Sequence, residues 1–167
     1  MKKTFISISI TLLVLAVLLG AASSFMLRIA LSPVHTGKDL PSSWEYMFEN
    51  YPELEAWTDS LQQANALKDT FTYAPDGTRL HAYYVAAPSP TSKTAVIVHG
   101  YTDNAIRMMM IGYLYNHNLG FNILLPDLRY SGLSEGNAFQ MGWLDRNDVM
   151  QWMIIANEIY GYSTQMV

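Results

Sequence analysis

The sequence has no cysteine, which excludes disulfides, a thiol nucleophile and thiolate metal sites and leaves the redox compartment unmarked. Charge is sparse and tilted. Ten basic against 14 acidic side chains give a net −4, so there is no basic face for nucleic acid. Histidine is scarce as well, and His35, His81, His99 and His117 include no pair at the i, i+4 spacing of a zinc-binding helix. No internal repeat or low-complexity segment occurs. A composition that is 50% apolar and 13% aromatic excludes a disordered tail or a collagen-like chain. At 167 residues the chain amounts to one domain or slightly less.

What is present is unevenly spread. Phe5 to Leu27 carries no charge and is dominated by Ile, Leu and Val. As a helix it would be roughly 34 Å long, enough for a bilayer core of about 30 Å. Lys2 and Lys3 precede it, which keeps the N-terminus in the cytoplasm and exports the rest. Two readings stand: residues 1–27 as an uncleaved anchor, single-pass in the cell membrane, or as a cleaved signal leaving a secreted or periplasmic domain. The small residues Gly20 to Ser24 suit a signal peptidase, whereas the apolar run continues through Phe25, Met26 and Leu27. With Lys2 and Lys3 left inside, the exported part carries 8 of the 10 basic residues against 14 acidic ones, a net −6. That balance argues against docking on anionic lipid through a polybasic patch.

Residues 28–41, with Pro33, Gly37 and His35, read as a linker, and 42–167 as the domain. Ser42 and Glu45 have the spacing of a capping box ahead of a helix with Trp44, Tyr46, Met47 and Phe48. Pro52 opens a second helix, with Leu54, Trp57 and Leu61 on one face. Thr70–Tyr73 and Leu80–Val85 flank Pro75-Asp76-Gly77 as a β-hairpin. Thr94–Val98 is a β-branched run suited to a parallel strand buried on both faces. Ile106, Met109, Met110, Tyr113 and Leu114 follow at helical spacing, with Gly120 closing that region, and the Met108–Met110 cluster reads as core filling. Phe121–Leu125 is a second buried strand, stopped by Pro126. Val149, Trp152, Met153, Ala156, Ile159 and Tyr160 mark a helix face ahead of Gly161. Strand and helix in alternation predict an α/β fold with a right-handed, mostly parallel sheet.

Ligands bind at the C-terminal ends of such strands, where this chain has Val98-His99-Gly100-Tyr101-Thr102 and Pro126-Asp127-Leu128-Arg129-Tyr130-Ser131-Gly132-Leu133-Ser134. The hairpin, the strand ending in His-Gly and the strand ending in Asp-x-Arg-x-x-Gly-x-Ser resemble the N-terminal half of an α/β-hydrolase. More narrowly they resemble exported or membrane-anchored bacterial serine hydrolases of the acyltransferase/thioesterase-like or dienelactone hydrolase-like kind. The resemblance spans Ser42 to Val167. It implies that the Tyr101 backbone N–H contributes to an oxyanion hole, and that His99 and Gly100 support the loop without His99 acting as base. On their own, Asp127 and Arg129 read as residues that pin their loop by hydrogen bonds, because no paired carboxylate for acid–base work lies nearby.

Gly132-Leu133-Ser134-Glu135-Gly136 spells G-x-S-x-G, but a nucleophile elbow needs a strand directly before the Ser and a helix directly after it. Neither is expected here, so Ser134 is read as a decoy. In the family the nucleophile, acid and base follow in the order Ser, Asp/Glu, His, all after a strand that Gln165-Met166-Val167 would begin. The resemblance therefore implies a serine hydrolase acting on a small-molecule ester, thioester or amide, truncated before its elbow, with no metal or organic cofactor. Asp in place of Ser would give dehalogenase or epoxide hydrolase chemistry. The fragment alone is expected to be inactive and poorly soluble, with the Ala95–Val98 edge unpaired. A non-catalytic, membrane-tethered binding module on the same fold is the alternative.

Overall fold

A computed structural model describes residues 2–32, 38–161 and 164–167. His35 and the rest of 33–37 lie outside the described residues. The chain divides into two compact units, Met1–Val34 and His35–Val167. The first is a single helix, α1 (Lys2–Leu31), whose apolar stretch Thr4–Leu31 is 28 residues long and has its side chains exposed. It is long and apolar enough for a membrane span, and a signal sequence has the same character. The helix continues past Leu27 through Arg28 to Leu31.

The second unit holds α2 (Leu40–Asn50), α3 (Glu53–Gln63), β1 (Lys68–Tyr73), β2 (Arg79–Val85) and β3 (Lys93–Val96). A continuous helical segment follows, with a 3₁₀ turn at Ile106–Met108, α4 (Met109–Tyr113) and a π turn at Leu114–Asn118. β4 (Asn122–Asp127), α5 (Asp145–Tyr160) and β5 (Gln165–Met166) complete it. The sheet order is β1-β2-β4-β3-β5. β1–β2 and β2–β4 are antiparallel, while β3–β4 and β3–β5 are parallel. The sheet is therefore mixed, with helices against both faces.

Alternation along the strands sends side chains to two cores. Val85, Ala95, Ile97, Ile123 and Leu125 meet Met47 of α2, Leu54 and Trp57 of α3, and Ile106 and Met109. Leu80, Ala82 and Leu124 meet Trp152 and Ala156 of α5 on the other face. Met109 is fully buried, with Met108 and Met110 packed around it, so the methionine cluster fills core.

Several elements differ from expectation in instructive ways. The N-cap of α2 is Asp39, not Ser42: its carboxylate accepts the Ser42 N–H, and Pro41 sits in the first turn, where its missing N–H has no helical partner to lose. Pro126 does not end β4. Leu124 faces β3 and accepts the Ile97 N–H, so residue 126 also faces β3. Its missing N–H stops the β3–β4 ladder instead, while β4 continues against β2 through Asp127. β3 is accordingly short, and Val98 is exposed. The helical region expected from Ile106 to Gly120 is present but changes type along its length, and within its π turn Leu114 is exposed while buried Asn116 donates its amide to Ala86 O and Phe121 O. On α5 Met153 is exposed, and the buried face is Asp145, Asp148, Trp152 and Ala156. The Ala95–Val98 edge is not bare: Val96 N–H donates to Val167 O, and Val167 N–H to Thr94 O.

Leu54 is wholly buried between α3 and the sheet. Leu54→Ala is expected to destabilise the domain by about 2–5 kcal/mol, measured by urea unfolding of the detergent-solubilised chain followed by near-UV circular dichroism. A change of under about 1 kcal/mol would show that α3 is not part of the core.

Candidate functional site

The end of the β3–β4 ladder lets the two following loops diverge, and a cleft of about 310 Å³ opens between them. His99, Gly100, Tyr101, Leu128, Arg129, Phe139, Met141 and Asp145 are among the residues that line it. Four of the five residues singled out in the sequence, His99, Gly100, Tyr101 and Arg129, thus come together at one cleft, and Asp127 lies just beneath, buried.

His99 ties the two loops. The Leu128 N–H donates to its Nε2 at 2.9 Å, which leaves Nδ1 as the protonated nitrogen, 2.7 Å from Gly100 O. Both ring nitrogens are committed to backbone, and the ring is buried. This geometry suits a loop support and leaves no lone pair for a base. Gly100 has open space around a Cβ position, so its value is not steric. Tyr101 follows, half exposed, with its ring 5.0 Å from Phe139. Thr102 sits at φ 63°, a strained left-handed conformation for a β-branched residue.

Asp127 is a three-way acceptor. Its carboxyl takes the Ala105 N–H at 2.8 Å, the Leu133 N–H at 3.0 Å and His81 Nδ1–H at 2.7 Å. A Cβ on Gly132 would lie 2.1 Å from that carboxyl, and Gly132 has φ 49°, so only glycine lets the loop wrap it. Ser134 completes the clasp by donating to Asp127 O at 2.7 Å and accepting the His81 N–H at 2.8 Å. It is buried, no helix follows it, and both its hydrogen-bonding roles are spent. This is the geometry of a structural pin.

Arg129 binds Asp148 of α5 in bidentate fashion at 2.6 and 3.0 Å. It also reaches the hairpin turn at Asp76 (2.5 Å) and Thr78 (3.0 Å). Its guanidinium is held protonated above its usual range, chiefly by Asp148. That guanidinium, then the N–H and hydroxyl of Thr78, hold the Asp76 carboxyl well below the usual carboxylate range. Asp127 and Arg129 are thus both fully engaged in hydrogen bonds to other segments of the chain.

Sequence reasoning missed the far wall of the cleft. Phe139, Met141 and Asp145 lie in a stretch without periodicity, and the only local signal was Gly142. Asp145 opens α5, is buried, and accepts the Gly142 N–H at 2.9 Å through Oδ2, while Oδ1 has no hydrogen-bond partner. Burial pushes its carboxyl up, the Gly142 N–H opposes this, and neighbouring Asp148 adds to it. Among the described residues, no cluster of three or more His, Asp or Glu is placed to hold a metal ion.

The chain matches no family model. Over 66 residues, 40% of its length, it is 33% identical to the uncharacterized protein YqkD of Bacillus subtilis (strain 168), and the match covers 21% of that protein. Its structure is similar to the Pyrococcus furiosus esterase Pf2001 in two crystal forms. Each gives a TM-score of 0.52 at 21% identity over 64% of this chain and 41% or 42% of that one. The shared fold is an α/β one, a mixed sheet flanked by helices. At this identity the likeness concerns architecture, and the chain spans less than half of the esterase. The described cleft lies where ligands of an open α/β sheet bind, at the C-terminal ends of β3 and β4.

Because the folded pKa of Asp145 is raised, its favourable contribution is complete below the unfolded carboxylate value and is lost as pH rises through the folded value. Asp145→Asn, which keeps an acceptor for Gly142, is expected to raise the melting temperature at pH 7 and to change it little near pH 3. Equal effects at both pH values would contradict the burial argument.

Proposed function

We propose that the whole protein is an exported or membrane-anchored serine hydrolase that cleaves an ester, thioester or amide bond of a small molecule. The observation that carries this reading is the loop His99-Gly100-Tyr101 at the end of β3, tied by His99 to the β4 loop beside an apolar cleft, in an α/β-hydrolase fold. In this reading the Tyr101 N–H donates to the oxyanion of a tetrahedral intermediate, and a fixed donor of that kind is worth about 10²–10³ in rate. His99, Gly100, Asp127 and Arg129 keep the donor in place. The nucleophile is a Ser outside these 167 residues, activated by a His and oriented by an acid. Two observations support placing it elsewhere: Ser134 is a buried pin, and β5 sits beside β3 where an elbow strand belongs.

The membrane part of the reading rests on the apolar helix of 28 residues that follows Lys2 and Lys3. Residues 5–27 would hold the protein in the bilayer, with the acidic domain outside the cytoplasm. A cleaved signal would export the same domain. The net −6 of that domain gives no support to a nucleic-acid partner.

A fluorophosphonate probe applied to envelope and soluble fractions of the source cell tests this directly. A labelled product containing peptides of this sequence is expected, with a mass well above 18.8 kDa. An unlabelled product of 18.8 kDa would overturn the catalytic reading in favour of a tethered binding module.

A further inference from the structure

Backbone strain is concentrated at the cleft. Among the described residues, four that are not glycine are left-handed: Asn65, Thr102, Tyr130 and Met141. Asn65 follows the end of α3, where asparagine is an ordinary occupant. The other three lie in the three stretches of chain that wall the cleft. Thr102, at φ 63°, is the costliest of them, because a β-branched side chain crowds the backbone there. A residue persists in such a conformation only where its surroundings over-determine it.

The surroundings of Thr102 do so. The Asp103 N–H donates back to Gly100 O at 3.4 Å, so residues 100–103 form a turn with Thr102 third, the position that a type II turn gives to a left-handed residue. Gly100 O also accepts His99 Nδ1–H at 2.7 Å. That carbonyl and the Tyr101 N–H belong to one planar trans peptide and point in opposite directions. Fixing the oxygen from two sides therefore fixes the Tyr101 N–H, directed away from the buried His99 ring. The chain after the turn is anchored at once. Asn104 is wholly buried and donates to Ser43 Oγ at 2.8 Å, and the Ala105 N–H donates to Asp127 at 2.8 Å. Thr102 reverses the chain within that short span, and its hydroxyl steadies the reversal by donating to Tyr101 O at 2.7 Å.

We propose that Thr102 is a positioning residue for the Tyr101 N–H: its left-handed backbone closes the turn onto Gly100 O and so aims the donor at the oxyanion. This rests on the hydrolase reading above and adds to its site a residue that touches no reacting atom. Glycine would enter the same conformation freely and leave it as freely. Threonine, stiff at χ1 and bonded to its neighbour's carbonyl, stays in it.

Fluorophosphonate labelling of the whole protein, expressed in its source cell and purified, tests the proposal. The limiting rate of labelling and the affinity for the probe are measured separately, below the melting temperature of every variant. Thr102→Val keeps the shape and loses the hydroxyl, and is expected to lower the limiting rate about ten- to a hundredfold with affinity unchanged. Thr102→Asn tolerates the left-handed region and bonds locally, so it is expected to recover the rate to within about threefold of wild type. Thr102→Ala replaces the Val variant if that one does not fold. A Val or Ala variant labelled as fast as wild type, or an Asn variant as slow as they are, would overturn the positioning role. A loss confined to affinity would do the same. Wild-type protein that takes no label would overturn the hydrolase reading and this role with it.

Discussion

The Asp127 carboxyl is the constraint on which the cleft depends. Two oxygens accept three N–H groups from three separate segments: His81 of β2, Ala105 at the start of the helical segment after Tyr101, and Leu133 in the loop after β4. Each hydrogen bond to a charged group contributes about 1.5–3 kcal/mol, and a donor left buried without its partner costs a comparable amount. The loops on either side of the cleft are therefore not independent, because both hang from one side chain. The left-handed Gly132 is the steric counterpart, since any Cβ there would occupy the carboxyl's place.

Around this hub the remaining ties form layers. His99 links the loops directly above it, and Ser134 closes the backbone beneath it. Arg129 extends the clasp outward to the hairpin turn and to α5. Pro126 contributes by omission, because its missing N–H ends one ladder and lets the strands part. A cleft thus arises from a proline, and two buried polar clusters keep its walls from drifting. The far wall of the cleft at Met141 sits on the same scaffold through Asp145 and α5.

Much of this was legible in the sequence. The strands announced themselves by β-branched runs and the hairpin by Pro75-Asp76-Gly77, because both signals come from local backbone chemistry. That Asp127 and Arg129 would be engaged in hydrogen bonds was expected from the lack of a paired carboxylate nearby. Their partners, His81, Asp76 and Asp148, were not readable, since they lie 46, 53 and 19 residues away and meet only through the sheet. The continuation of β4 past Pro126 was missed because it depends on which neighbour that residue faces. Phe139, Met141 and Asp145 carried no periodicity at all, and only the folded cleft wall gives them a common purpose.

The central claim is that one carboxyl holds both walls of the cleft. Amide hydrogen exchange of the full chain carrying Asp127→Asn tests it, because an amide side chain offers only one acceptor oxygen where the carboxyl offers two. The expected result is loss of protection at Ala105 or Leu133, or both, with Ile123 and Leu125 in the core unchanged. Undiminished protection at both Ala105 and Leu133 would contradict the account and show that each loop is held by its own packing.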